Sequence, residues 1–221
     1  MAIISQGVEL RRASTYVVSQ TTVGLAITAT AITRPDAGDF TVDGLSTGMR
    51  IYIGGSSSNL NVYTISAVAA TVITPYETMS EETSTALYIT GRSFSRVSEV
   101  TGFSAMTGSA AVIDVSNFQD SAKNKMVGLR DEGQATFELN LLPTQSTGVQ
   151  HLDLIADRQT RTLRYWDLKL TDQSTGVDPQ PSALNFKGYV TGFVINGGVD
   201  NKISASMTIE IDGPVKFIDR V

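Results

Sequence analysis

The chain has 221 residues, no cysteine and one histidine, enough length to bury a substantial core but no means of building a disulfide, a thiolate site or a multi-histidine metal centre. Its formal net charge of -5, with 18% charged against 41% hydrophobic residues, argues against a protein whose main task is to grip phosphates, which needs clustered Lys and Arg. The 19 glycines favour turns and strands, and neither a signal-peptide pattern nor an apolar run of about eighteen residues predicts secretion or a membrane anchor.

Residues 1–19 alternate locally around Val8, Leu10, Tyr16 and Val18, with Arg11 and Arg12 between. This predicts an edge strand, or an arm that pairs only in an assembly. Residues 25–32 read as a small-residue strand that stops at Arg34-Pro35-Asp36. From 40 to 89 the pattern is one of short strands. Phe40 and Val42 precede Asp43-Gly44; Met49, Ile51 and Ile53 precede the run from Gly54 to Asn59; then come 62–68, 71–74 before Pro75, and 86–90. Turn signals at roughly eight- to twelve-residue intervals fit a small barrel-like sheet, or strands that extend a larger sandwich.

Residues 92–100 place Phe94 and Val97 in a polar setting, 101–109 form a loose run, and 110–115 read as a strand. The polar stretch 116–133, with Phe118, Met126 and Leu129 as isolated apolar anchors, is too long for a routine hairpin connection. It predicts a loop lying across another surface, of the same subunit or of a neighbour. In 135–142, Phe137, Leu139 and Leu141 alternate with Thr136, Glu138 and Asn140, a strand with one buried face. Pro143 ends it.

Period 3.6 then appears over 149–160: Val149, Leu152, Ile155 and Ala156 share a stripe, with Gln150, Asp153, Asp157 and Arg158 largely off it. A strand-like run over 162–170 follows, then a turn-rich connection over 171–183 with Gly176, Pro179 and Pro181. Residues 184–195 read as a strand whose Gly188 and Gly192 mark bends or bulges. After the turn Asn196-Gly197-Gly198, residues 203–212 show the cleanest period of two, with Ile203, Ala205, Met207, Ile209 and Ile211 on the core face.

Reactive groups do not converge. His151 is expected as an exposed or half-covered helix residue, two positions from Asp153 and so not facing it. The acidic pairs Asp36 with Asp39, Glu81 with Glu82 and Asp131 with Glu132 read as solvated turn residues, not as carboxylates set across a cleft. Gly54-Gly55-Ser56-Ser57-Ser58 lacks the lysine and helix of a phosphate loop and reads as a hairpin turn. Arg158, Arg161 and Arg164 beside Asp157 and Asp167 suggest charge pairing within or between subunits; Tyr165 and Trp166 suggest core or interface packing. The expectation is a non-enzyme with no catalytic, cofactor-binding or metal residues.

Five segments, in this order, resemble the major tail tube protein of long, flexible, non-contractile bacteriophage tails. They are Ser98-Glu-Val-Thr-Gly-Phe103, Ile113-Asp-Val-Ser-Asn-Phe118, Lys125-Met-Val-Gly-Leu-Arg-Asp-Glu-Gly133 running on to Leu141, Phe186-Lys-Gly-Tyr-Val-Thr-Gly-Phe193, and the run from Val199 to Gly213. The resemblance covers about residues 94–214 plus Gly7-Val-Glu-Leu10. It implies a mainly β protein: a tail-tube-type β-sandwich with one flanking α-helix over about 148–160, plus a small β-barrel-like module inserted near the N-terminus. The domains would be 1–23, a strand or arm of the main domain; 24–90, the accessory module; and 91–221, the tail tube domain.

The function implied is that of a structural subunit that assembles into stacked hexameric rings, forming a hollow tube for genome passage into the host. Glu138, Glu210 and Asp212 would be lumen-lining candidates, their charge repelling passing DNA. Phe118, Lys123, Lys125, Met126, Leu129 and Arg130 would belong to the loop that reaches an adjacent ring or subunit. Implied partners are further copies of the chain, a tape measure protein in the lumen during assembly, tail terminator and distal tail proteins at the ends, and double-stranded DNA in transit without specific binding. No cofactor is implied. The protein would reside in the virion tail, and in the host cytoplasm during assembly. Another tail component, such as a terminator or baseplate ring, and a glycan-binding β protein using Tyr52, Tyr63 and Tyr76 are the alternative readings.

Overall fold

The computed structural model describes residues 7–20, 24–84, 86–105, 107–119, 121–144, 148–172, 181–199 and 201–219. The protein is mainly β, as expected, with a single α-helix among these residues. In chain order the first strands are β1 (Glu9–Gln20), β2 (Leu25–Ile27), β3 (Ile32–Thr33), β4 (Arg50–Gly54), β5 (Val62–Val68), β6 (Val72–Pro75), β7 (Glu82–Ser84) and β8 (Tyr88–Arg96). Next come β9 (Val100–Ser104), β10 (Ala110–Asp114), β11 (Lys125–Arg130), β12 (Gln134–Asn140), the helix α1 (His151–Thr160) and β13 (Arg164–Lys169). The last are β14 (Ala183–Asn196), β15 (Ser204–Ile211) and β16 (Lys216–Ile218). Two compact units result, one of residues 1–97, 165–185 and 216–221, the other of 98–164 and 186–215.

In the first unit the strands lie in the order β7-β2-β3-β6-β5-β4-β8-β1-β13. β5 pairs with β4 along one edge and with β6 along the other. Among the described residues no pairing joins β7 to β8, so this sheet curls without closing into a barrel. One cluster, which includes Phe40, Ile51, Ile53, Ile65, Ile73 and Ile89, fills its interior; its buried members come from residues 25–89, and Val17 of β1 packs against it. β1 is neither an edge strand nor a free arm. It pairs with β8 on one side and β13 on the other.

Three local expectations change here. The run 25–32 is a tight hairpin, β2 and β3, because Thr28 closes it: its N–H donates to the Ala31 carbonyl at 2.8 Å and its Oγ1 accepts from the Ala31 N–H at 3.1 Å. Phe40 and Val42 lie in a turn, where the Asp39 carboxylate accepts from the Thr41 and Val42 N–H groups and pulls the backbone out of strand geometry. The separate runs 86–90 and 92–100 supply one strand, β8, that continues through Gly91. A Cβ at Gly91 would come 2.4 Å from Leu45 Cδ2.

Carboxylates tie down the turns of this unit. Arg34, buried beside Phe40, donates to Asp36 at 2.5 Å and to Asp43 at 2.7 Å. Glu82 accepts from the Ser56 hydroxyl, from the Ser57 N–H at 3.1 Å and from Asn59 Nδ2 at 3.1 Å. Arg34 holds Asp36 below the ordinary carboxylate range, Thr41 does so for Asp39, and Ser56 for Glu82. A depressed folded-state pKa means the unfolded chain binds more protons as pH drops, so the stabilisation is complete above the unfolded value and is lost as pH falls through the folded one. Thermal melting is therefore expected to show a midpoint that declines below about pH 4. Glu82→Gln should flatten part of that decline; an unchanged acid profile would refute the assignment.

The second unit contains the sheet β14-β15-β12-β9, in which β14 takes part through residues 186–196. The period of two in β15 is borne out by strict alternation, with Ala205, Met207, Ile209 and Ile211 buried. Ile203 precedes the strand and is exposed. β12 buries Ala135, Phe137 and Leu139, and the expected bulge in β14 falls between Val190 and Gly192. The loose run after residue 100 includes a further strand, β9, paired with β12. In the connection 171–183, Gly176 and Pro179 lie outside the described residues.

The helix starts at His151, two residues later than its period predicted, and turns a partly different face inward. His151, Leu154 and Asp157 are buried. Of the expected stripe, Val149, just before the helix, is buried, Ile155 is half-buried, and Leu152 and Ala156 are exposed. Hydrogen bonding decides this. His151 is fully buried: Nδ1 accepts from the Leu142 N–H at 3.0 Å and Nε2 lies 3.0 Å from the Ser98 carbonyl, which sets a neutral ring with the proton on Nε2. Asp157 accepts from Arg164 Nε at 2.9 Å and Nη2 at 2.7 Å. His151→Ala would leave the Leu142 N–H and the Ser98 carbonyl without this partner and open a cavity where the ring is buried, and is expected to cost about 2–4 kcal/mol in chemical denaturation. His151→Gln, able to donate and accept, should cost less; equal losses for the two would mean that volume alone matters.

Candidate assembly surfaces

The stretch 116–133 is not one loop. Its second half is β11, which pairs with β10 in a two-stranded hairpin, with Val112 opposite Val127, Ile113 opposite Met126 and Asp114 opposite Lys125. The tip is ordered by local bonds. The Val115 N–H donates to the Asn124 carbonyl at 2.9 Å and the Asn124 N–H to the Ser116 hydroxyl at 2.8 Å. Ser116 also holds Asp114 below its ordinary range, with Lys123 contributing at 3.8 Å. At the root, the Gly108 N–H donates to the Glu132 carbonyl at 3.1 Å, and a Cβ at Gly108 would meet the Asp131 carbonyl at 1.9 Å. Only glycine fits there.

This hairpin exposes apolar side chains on both faces. Phe118 is 110% and Leu129 95% exposed, and Val112, Ile113, Met126 and Val127 are exposed with them. An isolated two-stranded ribbon is marginal in water, and a cluster of exposed apolar residues of this kind marks an interaction surface. All six residues expected to reach a neighbour lie on it. Lys123 faces Asp114, Lys125 lies opposite Asp114 in the ladder, Met126 pairs with Ile113, and Arg130 reaches Glu132 at 2.9 Å. Sequence reading missed Val112, Ile113 and Val127, because apolar residues in a strand look like core until it is seen that, among the described residues, no third strand pairs with the ribbon.

The wet face of the β14-β15-β12-β9 sheet is built mainly from small polar residues. Glu138 lies on it opposite Ser206, and Glu210 lies opposite Gln134, whose Nε2 donates to it at 2.8 Å. Neither glutamate has an ion-pair partner among the described residues. Asp212 differs, since Lys187 Nζ sits 2.9 Å from its carboxylate and compensates its charge.

The remaining candidates have structural roles. The Gly54–Asn59 turn does hold an anion, but it is the chain's own Glu82. Arg164 pairs with Asp157, Arg158 donates to the Phe193 carbonyl at 3.4 Å and Arg161 caps the helix in the left-handed region. Asp131 accepts from the Gly133 N–H at 2.9 Å. Trp166 is fully buried, in keeping with core packing.

A ribbon with two exposed apolar faces, together with a sheet face carrying glutamates that have no ion-pair partner among the described residues, suits a subunit that completes itself against other molecules. Comparison with protein families matches residues 78–221 to the family described as phage tail tube, TTP, lambda-like. The chain belongs to the lambda-like phage tail tube family. The match begins inside the first unit and takes in the whole of the second, so both the hairpin and the acidic sheet face lie within it. Comparison with curated proteins found no match. As a tail tube protein the chain is a structural, self-assembling component of the phage virion tail, and its mainly β architecture agrees with a tail tube sandwich.

Proposed function

We propose that this tail tube protein assembles into hexameric rings that stack into a hollow tube. The wet face of the β14-β15-β12-β9 sheet lines the lumen, and Glu138 and Glu210 supply a negative wall past which double-stranded DNA slides without adhering. The β10–β11 hairpin reaches a neighbouring subunit or ring. A tape measure protein occupies the lumen during assembly in the host cytoplasm, and terminator and distal tail proteins close the ends. Residues 24–90 act as an accessory module, an assignment supported by a core cluster whose buried members all fall within 25–89, with Val17 of β1 packed against it.

The observation that carries the reading is the hairpin's exposed apolar surface, with Leu129 95% exposed, in a chain of a self-assembling family. Electron microscopy of the purified protein over a range of concentrations should show tubes of uniform width. Their reconstruction is expected to place Glu138 and Glu210 inward and the hairpin against another copy. Tubes with those glutamates on the outer wall would overturn the lumen assignment, and absence of the protein from virion tail shafts would overturn the whole reading.

A further inference from the structure

In the first unit, Arg92 is a charge held against aromatic rings, with no counter-ion among the described residues. Its guanidinium carbon lies 3.6 Å from the ring centre of Tyr165 and 5.3 Å from that of Tyr16. Tyr16 is paired with Arg92 across β1 and β8, and the irregularity between Ala13 and Thr15 sets the alternation that brings it there. Cross-strand partners share a face, so Arg50, the partner of Arg92 on β4, lies on this face too.

Period two along β8 adds Arg96, whose partner on β1 is Arg11. The carboxylates beside these cations are already committed. Asp167 faces Arg50 at 3.5 Å and Arg11 at 4.0 Å, while Glu9 faces Arg11 at 3.2 Å and Arg96 at 4.0 Å. Arg92 has no carboxylate within ion-pair distance among the described residues, and its Nε is buried without a hydrogen-bond partner. Burial pushes its guanidinium down from the ordinary value, the signature of a desolvated charge.

The two ring contacts hold the guanidinium, and with Nε buried the Nη1 and Nη2 end is the part that could take a carboxylate through two parallel hydrogen bonds. Tyr16 is 63% exposed, so the rim of this stack is open. A chain of net charge -5 offers surplus carboxylates on every other copy. We infer that the Arg92 stack is an anion socket that receives a carboxylate from a neighbouring copy of the chain in the assembled tube. This rests on the self-assembly reading above.

The test assembles Arg92→Lys from an equal mixture of nitrogen-labelled and unlabelled chains. It then applies a carbodiimide, which joins an amine to a carboxylate it touches, with wild-type tubes as control. The expected result is a mixed-label cross-link from position 92 to an Asp or Glu, absent from wild type. Arg92→Gln, with thermal melting of the dispersed chain to check folding, should raise the concentration needed for assembly about tenfold, the scale of one charge-assisted hydrogen bond. Well-formed tubes with no cross-link at position 92, or with one confined to a single chain, overturn the socket. So does a folded Arg92→Gln chain that assembles at the wild-type concentration. Binding of a short DNA duplex that is lost in Arg92→Gln, with no cross-link, would assign the socket to phosphate instead. Wild type that never assembles removes the tube reading itself, and the socket with it.

Discussion

A chain carrying Phe118→Asp and Leu129→Asp is expected to remain folded and to stop assembling. In the free chain both side chains are almost wholly in water, 110% and 95% exposed, so substitution there should move folding stability by only about 0.5 kcal/mol. In an assembly that covers the hairpin, each side chain would contribute roughly 1.5–3 kcal/mol of burial, and an aspartate in its place would be an unpaired charge taken out of water. The losses recur at every copy in the assembly, so the concentration required for tubes should rise by more than about a hundredfold. Sedimentation and electron microscopy read the assembly, and thermal melting reads the fold. Normal tubes from the double variant would sink the hairpin's role, whereas a large fall in melting temperature would show that the hairpin is needed for folding.

The largest loss of stability is expected from Asp167→Leu. Asp167 is completely buried and lies 3.5 Å from Arg50 Nη2, 3.5 Å from Asn185 Nδ2 and 4.0 Å from Arg11 Nη1. Arg50 is itself buried. Its Nη1 donates to Thr64 Oγ1, which in turn donates to Glu77 at 2.8 Å. Removing one member of such a network leaves a buried charge uncompensated, a loss of about 3–5 kcal/mol, large against a typical total of about 5–15 kcal/mol. The double variant Arg50→Met with Asp167→Leu should recover much of it, because an apolar pair has no charge to desolvate. Chemical denaturation of the two single variants and the double one checks this. Additive losses would mean the two side chains act independently.

The strand β15 could be read from its residues because a half-buried strand writes its two faces alternately into the chain, and the same logic located β12; the bulge in β14 was signalled instead by its glycines, Gly188 and Gly192. The helix was legible as a helix but not as to which face turns inward. Its stripe of Val149, Leu152, Ile155 and Ala156 was chosen by apolarity, yet Leu152 and Ala156 stay exposed and His151 and Asp157 go inside beside Leu154, since the Leu142 N–H, the Ser98 carbonyl and Arg164 satisfy them. Those partners lie between 7 and 53 positions away, beyond any local pattern. For the same reason β1 looked like an edge and proved central: the alternation of Val8, Leu10, Tyr16 and Val18 says that a strand forms, not how many neighbours it will have.

The candidate surfaces divide in the same way. Phe118, Met126 and Leu129 were visible as apolar residues in a polar stretch, but the exposure of Val112, Ile113 and Val127 follows from the pairing of β11 with β10 in a ribbon that no third strand joins among the described residues. Glu138, Glu210 and Asp212 all followed from period two, while Lys187 set Asp212 apart. Local periodicity decides where strands and helix form, because it arises from backbone geometry over a few residues. Burial of a polar group, compensation of a charge and exposure of an apolar one depend on partners brought together across the chain, so only the folded arrangement settles them.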